Sequence, residues 1–67
     1  MVNTDKLKGR IKELGLTQPA VAEQLYMSYS GFNMKLNRKR SFTVEEADRL
    51  ARLLKIEKSE IVDYFFT

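Results

Sequence analysis

The sequence contains no cysteine, no histidine and no tryptophan, a single proline at Pro19, and three isolated glycines, Gly9, Gly15 and Gly31. Without cysteine there is no disulfide framework, and without cysteine or histidine the usual zinc ligands are missing. Chains this small need good helix packing or a partner when such staples are absent. Scattered glycines build no phosphate-cradling loop, and the missing histidine and cysteine leave catalysis little to stand on. The closely spaced carboxylates Glu45, Glu46 and Asp48 read better as the solvated first turn of a helix, where the dipole favours negative charge, than as an acid/base pair. No catalytic residue, cofactor or metal is therefore expected. No apolar run approaches the roughly 20 residues that cross a bilayer. The start, Met1 to Asp5, lacks the charged-then-apolar profile of a signal peptide. A soluble cytoplasmic protein with no membrane partner is the expectation.

What is present is a chain of 67 residues, enough for one domain over 1–67, because so short a polypeptide buries only about 60% of the surface it exposes when unfolded. The net charge of +3 is unevenly placed. Residues 1–42 hold eight Lys/Arg against three Asp/Glu, whereas 43–67 hold four against six. The cationic end suits a polyanion such as nucleic acid; on charge alone a membrane surface or an acidic protein also fits.

Periodicity divides the chain into five helices joined by short turns, with no strand signal. Leu7, Ile11 and Leu14 lie on one helical face, and Gly15 is a good C-terminal stop. Thr17 offers a cap hydroxyl to a second helix from Gln18 to about Leu25, whose first turn tolerates Pro19. Its inward face is Val21, Ala22 and Leu25, with the small Ala22 suited to a close helix crossing. Ser28 caps a third helix, Tyr29 to Asn37, whose apolar pair Phe32 and Leu36 leaves Tyr29, Ser30, Asn33, Met34 and Asn37 on other faces. Thr43 and Glu46 form a capping box before Ala47, Leu50, Ala51 and Leu54. Ser59 is expected to cap a last short helix containing Ile61, Val62, Tyr64, Phe65 and Phe66, which carries more apolar surface than one buried face can use.

The stretch from Leu16 to Arg40 carries the functional signal. Two short helices meet at a tight break around Tyr26-Met27-Ser28, and the second bears amides and hydroxyls outward. A major groove admits one α-helix and displays hydrogen-bond donors and acceptors. Ser30 and Asn33 are short enough to reach base edges or phosphates, and Asn suits a bidentate contact with adenine. Tyr29, at the end of the helix where groove contacts concentrate, suits a base, a thymine methyl or a phosphate, and Met34 offers apolar contact only. Plain solvent exposure is the alternative for Ser30 and Asn33. Lys35, Arg38, Lys39 and Arg40 place four cations within six residues, directly after that helix, where they would neutralise flanking phosphates.

On these residues, Leu16-Thr17-Gln18, Ala22-Glu23-Gln24-Leu25, Met27-Ser28 and Ser30, the chain resembles the lambda-repressor-like helix-turn-helix family of bacterial and phage regulators. The segments Lys35-Leu36-Asn37, Arg40, Phe42, the helix Glu46 to Leu54 and the closing Ile61 to Phe66 are similar to a narrower group, the Cro-like regulators of phages and prophages. The resemblance spans nearly the whole chain. It implies an all-α, five-helix domain that binds a palindromic operator as a homodimer and represses transcription. It further implies that Gln18 grips a phosphate, that Ser28 caps the recognition helix, that Tyr29, Ser30, Asn33 and Met34 face the groove, and that Asn37 contacts the DNA backbone. The family usually has Gly at the position of Tyr26 and frequently at that of Arg38, so these turns are expected to be strained or differently built. The surplus apolar residues Tyr64, Phe65 and Phe66 leave three roles open: a dimer interface, ordinary core, or the contact of an antirepressor-like module that engages another regulator.

Overall fold

The first four apolar stripes of the chain are each preceded by a side-chain cap and followed by a residue in left-handed conformation, and these two signals set the limits of those helices. The computed structural model describes residues 1–66. Its helices are α1 (Thr4–Glu13), α2 (Gln18–Gln24), α3 (Tyr29–Leu36), α4 (Val44–Leu53) and α5 (Ile61–Phe65), with a 3-10 turn at Lys58–Glu60 leading into α5. No strand occurs among the described residues, and no helix is long and apolar enough to cross a membrane.

Thr17 Oγ1 accepts from the Ala20 N–H at 3.3 Å, Ser28 Oγ from the Gly31 N–H at 3.0 Å, and Thr43 with Glu46 forms the expected reciprocal capping box. Two boundaries differ from the periodicity. Helix α1 begins at Thr4, one turn before Leu7, because Asn3 caps it by accepting from the Lys6 N–H at 3.0 Å. Ser59 does not cap the last helix. It lies inside the 3-10 turn, which runs into α5 through Glu60 at φ −101°, ψ −8°, so no extended residue is available to present a capping side chain.

The buried side chains form one cluster: Leu7 and Ile11 from α1, Val21, Ala22 and Leu25 around α2, Phe32 and Leu36 from α3, Leu50, Ala51 and Leu54 around α4, and Tyr64 and Phe65 from α5. Leu14 and Ala47, expected on inward faces, are half-buried against it. Phe42, in the connection from α3 to α4, sits between Phe32 and Phe65 with ring centroids 6.1 and 6.4 Å away. Phe32 is fully buried, and full burial of such a side chain contributes about 1.5–3 kcal/mol. Together with Leu36, also fully buried, it anchors α3.

Helix ends are joined to one another by polar contacts from α1. Thr4 Oγ1 donates to the Leu36 carbonyl at 2.6 Å, satisfying the end of α3, and Arg10 Nε donates to the Leu54 carbonyl at 2.8 Å, satisfying the end of α4. The Asn3 N–H donates to the Tyr64 carbonyl at 2.8 Å and ties in α5. Arg10 also donates to Glu13 at 2.7 Å, and that carboxylate raises the already high pKa of the guanidinium.

A further tie joins α3 to α4. Lys35 Nζ donates to Glu46 Oε1 at 2.5 Å, and the same oxygen accepts from the Thr43 N–H at 2.9 Å. Partial burial pushes the Glu46 carboxyl upward. The hydrogen bonds from Lys35 and Thr43 and the Lys35 charge outweigh that effect and hold it below the usual carboxylate value.

Four helices end in the same backbone arrangement. At each, the first residue past the cap has positive φ: Gly15 at 72°, Tyr26 at 58°, Arg38 at 66° and Lys55 at 55°. In each case the next N–H reaches back over the turn, as Leu16 to Ile11, Met27 to Ala22, Lys39 to Met34 and Ile56 to Ala51. This is the Schellman ending, in which glycine avoids the Cβ penalty that other residues incur. The Tyr26 and Arg38 turns are thus strained rather than differently built, and Lys55 adds a third.

The strain predicts opposite outcomes for opposite substitutions. Lys55→Gly should stabilise the domain by roughly 1 kcal/mol, raising Tm by about 4–8 °C for a chain of this size. Gly15→Ala should destabilise it by a similar amount, roughly 1 kcal/mol, although a Cβ there meets nothing within 4 Å. Thermal denaturation checks both; an unchanged or lower Tm for Lys55→Gly would contradict the assignment. Glu46 predicts a pH effect. Its folded pKa is depressed, so its contribution is fully present above the ordinary value of 4.5 and is lost as pH falls through the lower folded value. Acid titration of stability should therefore show a drop in wild type that is reduced in Glu46→Gln.

Candidate nucleic-acid interface

The outward face of α3 is defined by what the helix buries. Phe32 and Leu36, four residues apart, are both wholly inside. Tyr29 and Ser30 therefore emerge exposed at the N-terminal end, and Asn33, Met34 and Asn37 follow along the helix as half-buried side chains. Tyr29 is 49% exposed despite its large ring. Helix α2 packs against α3, and Ala22 on α2 is almost wholly buried in the core.

Ser28 and Gln18 lie at the starts of α3 and α2. Ser28 is exposed, and its hydroxyl oxygen already accepts the Gly31 N–H at 3.0 Å, leaving its own proton to donate. Gln18 is the first residue of α2 and is half-buried beside the Thr17 cap.

Beyond α3 the chain turns sharply through Arg38. Both the Lys39 and Arg40 N–H groups then donate to the Met34 carbonyl, at 2.8 and 3.3 Å, so the backbone of the arm wraps the end of the helix. Arg38, Lys39 and Arg40 are all exposed, and none has a carboxylate within ion-pair distance among the described residues. Three unpaired cations consequently stand at the C-terminal end of the polar face.

Two expected members of the site are engaged elsewhere. Lys35, expected among the cations that neutralise flanking phosphates, has a side chain 17% exposed with its ammonium held by Glu46 at 2.5 Å. Neutralisation by that carboxylate makes it a tie between α3 and α4. Asn37 directs its side-chain nitrogen back along the helix, with Nδ2 at 2.9 Å from the Asn33 carbonyl and 3.1 Å from Asn33 Oδ1. The four-residue spacing of the two asparagines is the one signal that could have revealed this link.

Sequence reading also missed the contact across the turn between α2 and α3. The Arg49 guanidinium of α4 lies 5.1 Å from the centre of the Tyr26 ring, on a side chain that is 82% exposed. A cation–π contact at an exposed site is worth about 0.5–1 kcal/mol, comparable with part of the cost of positive φ at Tyr26. Nothing in the local sequence around Tyr26 announces a partner more than twenty residues away.

At the C-terminus, the three aromatics separate into two roles. Tyr64 and Phe65 are core residues at 7% and 6% exposure, whereas Phe66 is 69% exposed. Phe66 borders an open groove of about 510 Å³ that runs past Val2, Phe42, Val44, Ala47 and Ile61, with Arg38 and Arg40 on its rim. Val44 and Met1 are also prominently exposed here.

No curated protein and no solved structure matches this chain. A family match covers residues 2–67, nearly the full length, and the chain accordingly belongs to the family described as protein of unknown function DUF739.

Proposed function

We propose that this protein is a sequence-specific, double-stranded DNA-binding regulator of the Cro-like repressor kind, in which α2 and α3 form a helix-turn-helix and α3 enters the operator major groove. The observation that carries the reading is the outward surface of Tyr29, Ser30 and Asn33, with the apolar Met34 beside them, on a helix that buries Phe32 and Leu36 and is followed by the unpaired cations Arg38, Lys39 and Arg40. Eight residues of α3 span about 12 Å, comparable with the width of the major groove. In this reading Tyr29, Ser30 and Asn33 meet base edges, Met34 supplies apolar contact, and Gln18, Ser28, Lys39 and Arg40 meet phosphates on either side. Arg38 ends the helix and adds its charge to the arm. Lys35 sets the angle of α3 through Glu46 rather than touching DNA.

The exposed apolar strip of Phe66 and Val44 supports a homodimer on a palindromic operator, since a dimer would cover it and place two α3 helices on successive half-sites. The same strip also supports a second reading, a helical module that binds another regulator in the manner of an antirepressor. The two readings differ in which residues matter. A DNA-binding regulator depends on Lys39 and Arg40, while a protein-binding module depends on Phe66.

Selection from a random duplex pool at fixed salt should return one consensus, palindromic if the protein binds as a dimer. Equal affinity for scrambled duplexes would remove the proposal. Titration across salt should give a steep slope of log affinity against log salt, and Lys39→Ala or Arg40→Ala should each reduce its magnitude by about 0.9 without changing the consensus. Sedimentation of the wild type against Phe66→Ala tests the dimer: loss of mass in the variant supports that interface, and equal mass refutes it.

A further inference from the structure

The groove beside α5 has a volume of about 510 Å³, within the range of roughly 300–1,000 Å³ that small-molecule clefts occupy. Its walls come from separate parts of the chain: Val2 ahead of α1, Phe42 in the connection from α3 to α4, Val44 and Ala47 on α4, and Ile61 and Phe66 on α5 and at its end. Phe42 is fixed from behind, because its ring packs between those of Phe32 and Phe65. Six large apolar or aromatic side chains are exposed among the described residues, and three of them, Met1, Val44 and Phe66, lie on this one groove. Exposed apolar residues gathered in one place mark a binding site, whereas the same residues scattered singly are ordinary surface.

Charge decides what the groove suits. Two of its charged residues are already paired, Lys35 with Glu46 at 2.5 Å and Asp48 with Arg52 at 3.2 Å. The other two, Arg38 and Arg40, come from the same connection and have no carboxylate within ion-pair distance among the described residues. A guanidinium presents its N–H donors in a planar fork that matches a carboxylate. An apolar trough with free guanidiniums on its rim is complementary to a molecule with an apolar body and an anionic head. A neutral apolar ligand would leave both cations unmet, and a cationic one would be repelled by them.

We propose that this groove is a binding site for a free alkyl carboxylate of the fatty-acid class, whose chain lies along Phe42, Val44, Ala47, Ile61 and Phe66 and whose head meets Arg38 and Arg40. The site itself rests on the groove alone. Its consequence for function rests on the DNA-binding reading above: a bound carboxylate neutralises two cations of the arm, and the alkyl chain covers the strip of Phe66 and Val44 that a second copy would use. A bound fatty acid therefore opposes DNA binding.

The test is titration of the isotope-labelled protein with sodium octanoate and sodium decanoate, each below its micelle concentration, followed by amide chemical shifts in NMR. Shifts should concentrate at Phe42, Val44, Ala47, Ile61 and Phe66. Each methylene buried tightens binding roughly fourfold, so decanoate should exceed octanoate by up to roughly fifteenfold. Arg38→Gly, which also relaxes a strained turn, and Arg40→Gln should each weaken octanoate by roughly two- to fivefold while leaving octanol, the uncharged control, unchanged. Val44→Asp, at the exposed first position of α4 where the helix dipole suits an acidic residue, should keep its helicity by circular dichroism and bind decanoate much more weakly. Equal affinity for octanoate and decanoate, shifts centred on the outward face of α3, or octanoate binding unaltered in both arginine variants would overturn the site. A response to anionic phospholipid vesicles but not to decanoate would overturn it in favour of a membrane contact. Groove resonances that move with protein concentration and not with decanoate would overturn it in favour of a contact between copies. Duplex affinity unchanged at saturating decanoate would refute the opposition to DNA binding with the site intact. A wild type that binds no duplex would remove the DNA-binding reading and leave the site standing.

Discussion

Backbone carbonyls at helix ends are the constraint on which this structure depends. Its five helices are between five and ten residues long, and every helix leaves its last four carbonyls without intrahelical partners. In helices so short the ends are a large part of the whole. The chain answers twice. Schellman turns at Gly15, Tyr26, Arg38 and Lys55 return N–H groups to the last turn of each of the first four helices. Thr4 and Arg10, both on α1, then donate into the ends of α3 and α4 at Leu36 and Leu54. Helix α1 therefore has two faces with different tasks, one placing Leu7 and Ile11 in the core and the other closing its neighbours.

These closures determine how the polar face of α3 is held. Phe32 and Leu36 set its rotation, Thr4 its C-terminal end and the Lys35–Glu46 pair its attachment to α4. Glu46 carries two of these functions through one oxygen, because the carboxylate that starts α4 by accepting from Thr43 also receives Lys35. A charge placed among cations at the end of α3 is in this way converted into a structural contact. The unpaired charge passes to Arg38, Lys39 and Arg40, which lie beyond the turn and are held only by their backbone.

Much of this was legible in the order of residues, where a local rule applies. Thr17, Ser28 and Thr43 cap the helices that follow them, and the apolar stripes Val21-Ala22-Leu25, Phe32-Leu36 and Leu50-Ala51-Leu54 are core. The failures occur where a competing local arrangement or a distant partner decides. Ser59 has the chemistry of a cap but lies in a turn that enters α5 without an extended residue. The Leu7 stripe begins a turn after the helix does, since Asn3 caps a first turn with no apolar stripe. The pairing of Lys35 with Glu46, eleven residues later, is invisible among its basic neighbours in sequence. Among Tyr64, Phe65 and Phe66, periodicity could show a surplus but not that only Phe66 is left outside.

The three non-glycine residues with positive φ are alike in backbone and unlike in circumstance. At Tyr26 the side chain lies under Arg49, so contact with α4 offsets part of the strain. At Arg38 the side chain is a cation beside two others at the rim of the polar face, and glycine there would relax the backbone while removing a charge from the arm. Lys55 has neither an aromatic partner nor a place beside α3; its carbonyl receives Arg10 at 3.5 Å, a contact that any residue at that position would make. Strain retained at Arg38, next to the surface proposed to meet DNA, therefore has a use that strain at Lys55 lacks. Where an L-residue occupies a glycine conformation, the side chain's surroundings separate function from tolerance, and only two of these three turns have surroundings that argue for the residue found there.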